Sequence, residues 1–406
     1  MTSCRPGRTA SLVASLVLLA LTVLVATPAT AQLEPPSRPV IEGAMTPTWP
    51  DAPELAAPVH LLVDAATGQV LSAHAADERR PVASTVKILT ALTVAANTQL
   101  DDEVQVGDEV LAPGASVGLQ PGERWTIEQL LQGILVRSGN DAAEALATAV
   151  GGDLDGFVEL MSETARAVGL RVGPDEVHLT SPSGLDDDQR LSARDLATLT
   201  RVLLADPDLR RIVGAPEVQL PDREPGENRN LLIGDYPGAT GVKTGYTEAA
   251  GNSVVASARR GERELIAVVL GAGPDPERFR DAATLLDHGF DRFVDRTLSA
   301  ELVLLAAGAR WNLVVPPTPV VVPAGADAQL DVPIPVRLPG GDPVSVPVRL
   351  DGQQVASVDA GFQPVTDAEP EPPTGEGAAI GRAAADGIYA ALRAAFAAED
   401  ELVPAA

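Results

Sequence analysis

The sequence predicts an α+β protein: a mainly antiparallel sheet carrying a helical layer, followed by a small β-rich module. Three observations predict it. Short apolar runs of strand length stand at 60–71 and again at 253–270. Between them, apolar residues recur at helical spacing over several long stretches. After about Arg296 the spacing changes to strand-like alternation interrupted by prolines.

Residues 1–31 have the pattern of an export signal. Arg5 and Arg8 precede an apolar run at 12–26, and Ala29-Thr30-Ala31 supplies a small-residue cleavage site. An uncleaved anchor helix is the alternative, against which the short apolar run argues. The single cysteine, Cys4, lies inside this segment. A cleaved chain would therefore have no disulfide, no thiol chemistry and no cysteine metal site. His60, His74, His178 and His288 lack metal-ligand spacing, so neither a metal nor another cofactor is expected.

Residues 32–54 are rich in proline and lack periodicity, which predicts an extended linker. In the segment 55–295, Leu61-Leu62-Val63-Asp64 and Gln69-Val70-Leu71 flank Thr67-Gly68, a hairpin with glycine in the turn. Val86, Ile88, Leu89, Leu92 and Val94 then predict a mostly buried helix. Glycine and proline punctuate 107–122, a loop with short strand candidates. Thr126-Ile127-Glu128-Gln129 is a helix-start signature, and Arg137-Ser138-Gly139-Asn140 ends that helix and begins another at Asp141. Helical spacing covers 154–168 and 191–205, with a loop at 180–185 between them. The region 229–271 reads as strands, and a helix over 277–287 is expected to pack on them.

Farther on, Val332, Ile334, Val336 and Leu338 alternate, turn at Pro339-Gly340-Gly341-Asp342, and alternation resumes at Val344, Val346, Val348 and Leu350. The β-rich module is thus placed at 296–362, an acidic proline-rich linker at 363–377 and a C-terminal helix at 378–398. Ile380, Ile388, Leu392 and Phe396 share one face of that helix. Arg382 and Arg393 are its only cations and alanines dilute its apolar face. Only a weak membrane association is expected of it, and packing on a partner suits it equally.

A net charge of -26 argues against nucleic acid or an anionic membrane surface as partner. Within the 30 basic residues there are two lysines, Lys87 and Lys243; arginine has every other position. Arginine cannot be deprotonated in a protein, whereas a desolvated lysine can lose its proton near neutral pH. Lys87 follows Ser84 by three residues, so at a helix start the amine can reach the hydroxyl and activate it as a nucleophile. Alone, that spacing also suits a helix start with a solvated lysine. Ser138-Gly139-Asn140 equally suits a turn in which Ser138 or Asn140 caps the next helix. Lys243-Thr244-Gly245, followed by Tyr246, supplies a cation, a hydroxyl and a small residue, but is also compatible with an ordinary strand end.

Together and in this order, Ser84-Thr85-Val86-Lys87, Ser138-Gly139-Asn140 and Lys243-Thr244-Gly245 resemble the three motifs of penicillin-binding proteins and serine β-lactamases. The flanks Asp64-Ala65-Ala66-Thr67-Gly68-Gln69-Val70-Leu71, Ser138-Gly139-Asn140-Asp141-Ala142-Ala143 and Gly241-Val242-Lys243-Thr244-Gly245-Tyr246-Thr247 are similar to the low-molecular-weight D-alanyl-D-alanine carboxypeptidases. The resemblance covers about 56–292 and implies the penicillin-binding-protein/β-lactamase-like transpeptidase fold, with 55–295 as catalytic domain. It implies Ser84 as nucleophile, Lys87 as general base kept neutral partly by Lys243, and Ser138 as proton relay. It further implies Asn140, Lys243, Thr244, Gly245 and Tyr246 as substrate-binding residues, with the backbone N–H groups of Ser84 and Tyr246 as oxyanion hole. Arg278 is a further candidate for the substrate carboxylate, although a surface salt bridge would explain it as well.

The implied partners are D-Ala-D-Ala peptidoglycan stems and, as covalent inhibitors, β-lactam antibiotics, in an exported cell-envelope or secreted protein. A β-lactamase would call for a Glu-x-x-Leu-Asn stretch, of which there is no clear instance between Asn140 and Lys243. A wall-binding scaffold that has lost catalysis is the non-enzymatic alternative. Two departures from the family pattern stand out: Val82 in place of proline, and Thr180-Ser181-Pro182-Ser183-Gly184-Leu185 in place of Asn-Pro-His-Gly-Leu. Neither is expected to touch a catalytic group.

Overall fold

A computed structural model describes residues 52–364 except 111, 307–308, 327–328, 331–343 and 351–352. The expected export signal, almost all of both linkers, the 332–342 strand and turn, and the C-terminal helix lie outside the described residues.

The first hairpin is formed by β1 (Val59–Asp64) and β2 (Val70–His74). Its turn is set by Asp64, whose Oδ1 accepts from the Thr67 N–H at 2.8 Å and the Thr67 hydroxyl at 2.7 Å, and by Gly68 at φ +73°. A 3₁₀ turn at Ala83–Val86 leads into α1 (Lys87–Asn97), whose residues from Lys87 to Val94 are all buried. The 107–122 loop is flanked by a small ribbon of β3 (Glu103–Gln105) and β4 (Arg124–Thr126). Then α2 (Ile127–Leu135) starts with a capping box, in which the Thr126 side chain accepts from the Gln129 N–H and the Gln129 side chain from the Thr126 N–H. Next come α3 (Asn140–Gly151), α4 (Leu154–Ala167), α5 (Ala193–Ala205) and α6 (Pro207–Val213).

The region 229–271 is not all strand. After the two-residue bridges β5 (Glu217–Val218) and β6 (Gly226–Glu227), a single helical turn, α7 (Leu232–Asp235), intervenes. It exists because the Asn230 side chain accepts from the Leu232 N–H and its own amide donates to the Gly241 carbonyl at 2.7 Å. The strands are β7 (Ala239–Thr247), β8 (Gly251–Arg260) and β9 (Arg263–Ala272), followed by α8 (Glu277–Arg292), five residues longer than its apolar spacing predicts.

These elements form one antiparallel sheet in the order β2-β1-β9-β8-β7, so the N-terminal hairpin is completed by the last strand of the segment. Alternate residues face opposite layers. Leu61, Val63, Ile266, Val268 and Leu270 join the core shared with α1 to α5. Leu62 and Leu265 lie instead beneath Gly289 of α8. Helix α1 is in contact with α2, α3, α4 and α5, and is the axis of the helical layer. Truncating a leucine there, such as Leu92, leaves a cavity costing about 2–5 kcal/mol.

The chain divides into two compact units, the first ending its main segment at Asp295 and also taking in 321–327 and 353–355. A second sheet has the order β10-β11-β14-β13-β12, from β10 (Phe293–Ala306), β11 (Ala309–Pro323), β12 (Gln329–Leu330), β13 (Val344–Leu350) and β14 (Gln353–Pro364). Within β13, Val346 and Val348 are buried, as alternation predicts.

Candidate functional site

Ser84 stands in the 3₁₀ turn before α1, and Lys87 is the first residue of that helix. The turn is closed by the Thr85 hydroxyl, which donates to the Val82 carbonyl at 2.7 Å. Its entry residue, Ala83, has φ +49°, a region that L residues occupy only when the surroundings impose it. Lys87 is 0% exposed, and its Nζ makes three contacts: Asn140 Oδ1 at 2.8 Å, the Ser183 carbonyl at 2.6 Å and Ser84 Oγ at 2.9 Å. The first two atoms can only accept. A neutral amine donates to both and turns its lone pair to the serine hydroxyl.

The Ser138-Gly139-Asn140 turn joins α2 to α3, with Ser138 at φ +64°. Asn140 is locked from both ends: its amide nitrogen donates to the Pro113 carbonyl at 2.7 Å, which leaves Oδ1 for Lys87. Asp141, fully buried, secures the loop that provides this contact. Its carboxylate accepts from the Ser116 hydroxyl and from the N–H groups of Val117, Gly118 and Leu119, at 2.6 to 3.1 Å.

Strand β7 is the edge of the sheet and brings Lys243, Thr244, Gly245 and Tyr246 beside the Ser84 turn. The approach requires glycine at 245, because a Cβ there would lie 2.9 Å from the Val82 carbonyl oxygen and 3.1 Å from Thr85 N. Lys243 is 1% exposed and donates to Ser138 Oγ and to the Thr244 carbonyl, both at 2.9 Å. Arg278 reaches over from α8. Its guanidinium donates to the Gly245 carbonyl at 2.9 Å and to Asp275 at 2.8 Å, and so braces β7 as well as facing the cleft.

The walls of an open cleft of about 440 Å³ include Ser84, Ser138, Asn140, Thr244, Gly245, Tyr246 and Arg278, with the two lysines buried beneath. All nine residues predicted from the sequence therefore converge. Burial pushes Lys87 down to about 7, opposed by the carboxylates of Glu144 and Asp141 and reinforced by Arg229. Burial also pushes Lys243 well below its usual range, and there the neighbours are cations only: Lys87, Arg229 and Arg278. Desolvation, rather than Lys243, is thus the main reason that Lys87 is a base near neutral pH.

One expectation needs correction. The segment 180–185 does touch a catalytic candidate, since the Ser183 carbonyl is the shortest contact of Lys87 and the Pro182 carbonyl accepts from Thr90 on α1. Gly184, at φ +79°, seats this segment on the Ser84 turn: a Cβ there would stand 2.1 Å from the Ala83 carbonyl oxygen. Arg229, which lines the cleft, and Glu144, on α3, were not singled out by sequence reading. A charged residue four positions after Asn140 on a buried helix was the available signal for Glu144.

Residues 46–273 match the family D-alanyl-D-alanine carboxypeptidase, peptidase S11. The chain is 37% identical over 258 residues to D-alanyl-D-alanine carboxypeptidase DacB2 of Mycobacterium tuberculosis, covering 59% of this chain and 84% of that protein. It is 33% identical over 244 residues to DacF of Bacillus subtilis, covering 57% of this chain and 62% of the relative. The match thus spans less than two thirds of the Bacillus protein. Among solved structures, penicillin binding protein 5 of Haemophilus influenzae superposes with a TM-score of 0.67 at 27% identity, over 76% of this chain and 97% of that one. A D-alanyl-D-alanine carboxypeptidase of Mycobacterium tuberculosis does so with 0.57 at 33% identity, over 62% and 96%. Among the described residues no helix is long and apolar enough to cross a membrane, and no group of three or more His, Cys, Asp or Glu could hold a metal ion. With its three motifs gathered in one cleft on this fold, the chain belongs to the D-alanyl-D-alanine carboxypeptidase family, peptidase S11.

Proposed function

We propose that this protein is an exported serine-type D-alanyl-D-alanine carboxypeptidase that removes the terminal D-Ala from peptidoglycan stem pentapeptides and is acylated by β-lactams. One observation carries the reading: Lys87 Nζ is held by two acceptors and faces Ser84 Oγ at 2.9 Å. Residues 55–295 carry the chemistry, with 296–362 as a separate β-rich module.

The reaction follows from the atoms present. Ser84 Oγ attacks the carbonyl carbon of the scissile peptide and its proton passes to neutral Lys87. The developing oxyanion is held by the backbone N–H groups of Ser84 and Tyr246, in what is usually the largest electrostatic contribution to acyl transfer. The C–N bond breaks as Ser138 relays to the leaving amine the proton that Lys87 took from Ser84, which restores the Ser138 hydroxyl and neutral Lys87, and D-Ala departs. Water then hydrolyses the Ser84 ester, with Lys87 as base. Asn140 binds the peptide backbone, while Lys243 and Thr244 take the terminal carboxylate, with the charge of Arg278 adding to the field. A carboxylate beside Lys243 favours its charged form, so that side of the cleft gains a proton as substrate binds.

Fluorescent penicillin should label the wild type covalently and leave Ser84→Ala unlabelled, and D-alanine should be released from a pentapeptide. A wild type that neither labels nor releases D-alanine sinks the reading. Rapid turnover of the antibiotic would point to a β-lactamase instead.

A further inference from the structure

Two walls of the cleft come from distant parts of the chain, and one pair of side chains joins them at the rim. The first wall is the segment 180–189, whose Ser183 carbonyl holds Lys87 Nζ at 2.6 Å and stands 3.4 Å from Ser84 Oγ. The second is the end of β7. Leu185 from the first and Tyr246 from the second are both exposed and both line the cleft. Just beyond them, the Thr247 hydroxyl donates to Asp187 Oδ1 at 2.8 Å, across 60 positions of sequence.

Both ends of this bond are anchored. The Thr247 hydroxyl has one proton, given to Asp187, and its oxygen accepts the Ala250 N–H at 3.1 Å, so the turn between β7 and β8 sets its direction. On the other side the segment is closed on itself. Gln189 Oε1 accepts from the N–H groups of Thr180 and Ser181, both at 3.1 Å, and Asp186 Oδ1 from that of Asp188 at 2.9 Å. Its inner face is seated by the Pro182 carbonyl on Thr90 and by Gly184 against the Ala83 carbonyl. A segment braced in this way passes a pull at Asp187 on to Ser183.

We propose that Asp187 is a positioning residue for acyl transfer: through Thr247 it ties the segment that holds Lys87 to the strand that carries the Tyr246 N–H. The proposal rests on Lys87 as base and on the Tyr246 N–H as oxyanion donor. Strand β7 is the sheet edge and pairs with β8 on one side only, so its other side depends on contacts of this kind. Base and oxyanion donor must act on one reacting carbonyl, and a misplacement of about 1 Å between such groups can cost about 100-fold in rate. The bond requires an acceptor at 187, not a charge. That separates it from any effect of the acidic run Asp186-Asp187-Asp188.

In the full chain, the rate of acylation by a penicillin should fall about tenfold in Asp187→Ala and equally in Thr247→Val. The double variant should lose no more than either, because both changes remove the same bond. Asp187→Asn keeps the acceptor and Thr247→Ser the donor, and each should stay within about twofold of the wild type. With a pentapeptide the loss should fall on kcat and leave KM nearly unchanged, a split that loss of stability alone would not give. Losses that add in the double variant, or wild-type acylation by Asp187→Ala, overturn the proposal. Should Asp187→Ala not fold by circular dichroism, a wild-type rate in Thr247→Val does the same. Amide exchange over 182–188 and 245–250 reads the tie without any chemistry and should quicken in both single variants. Unchanged exchange overturns the tie even in a protein that penicillin does not label, whereas failure of the wild type to label counts against the carboxypeptidase reading alone.

Discussion

The two halves of the cleft each bury a lysine, yet carboxylates act on only one of the two. On the helical side, Lys87 meets two fixed oxygen acceptors, the carboxylates of Glu144 and Asp141 and one cation, Arg229. On the sheet side, Lys243 meets Ser138, its neighbour's carbonyl and three cations. The helical side is electrostatically complete without a ligand and can exchange a proton at neutral pH. On the sheet side no carboxylate acts on Lys243, and Asp275 is already paired with Arg278. One half is built to do chemistry on a proton, and the other to receive a negative charge that the substrate brings.

Arginine substitutions break this comparison most directly, because they retain charge and remove the capacity to deprotonate. Lys87→Arg should lower the acylation rate by about 10⁴, the upper range for loss of general base catalysis. Lys243→Arg should cost only about 10–100-fold in kcat/KM, mostly through KM, because the cation survives for the carboxylate. Penicillin acylation rates of the two purified variants decide the matter, and equal losses would erase the division of roles.

The next effect is on pH dependence. Below about 7, Lys87 gains a proton and cannot take one from Ser84, so kcat/KM should fall tenfold for each pH unit on the acid side. Stability should follow the same groups with a definite sign. Both lysines are depressed in the fold, so the unfolded chain binds more protons from about 7 up to the ordinary lysine range. Stability from these sites therefore rises with pH across that window. Replacing both lysines with methionine should flatten that slope in urea titrations, and an unchanged slope would show that the lysines are not depressed.

The two halves were also unequally legible in the sequence. Ser84 and Lys87 are related by local helix geometry, and Lys243-Thr244-Gly245-Tyr246 by one strand, so spacing offered them as candidates that the three motifs together then singled out. The resemblance supplied their juxtaposition, which depends on β7 lying at the sheet edge while β1 pairs with β9 across some 200 residues. What escaped was the second tier. Ser183 acts through its backbone carbonyl, a group every residue has, so no residue type signals it. Asp141 works by clamping a hydroxyl and loop N–H groups 22 to 25 positions earlier, a pairing that no local spacing announces. Gly184 needed the Ala83 carbonyl against it before its requirement was visible. The 229–271 region misled because the Asn230 side chain accepts from the Leu232 N–H and bends the chain there, a local side-chain event hidden among strand-forming residues.

The smallest expected effect discriminates most finely between the two lysines. If the sheet side lacks only an anion, ligand binding should raise the affinity of Lys243 for a proton and leave Lys87 nearly as before. Ser84→Ala allows this to be read without acylation. Binding of a D-Ala-D-Ala peptide should take up protons, most of all between the free-state midpoint of Lys243 and its higher bound-state midpoint. Calorimetry in two buffers of different ionisation enthalpy measures that uptake. Thr244→Val should weaken binding without abolishing it, whereas Lys243→Arg, already charged, should remove the uptake while the peptide still binds. Uptake that persists in Lys243→Arg would move the responsive group to the helical side and reverse the assignment of the two lysines.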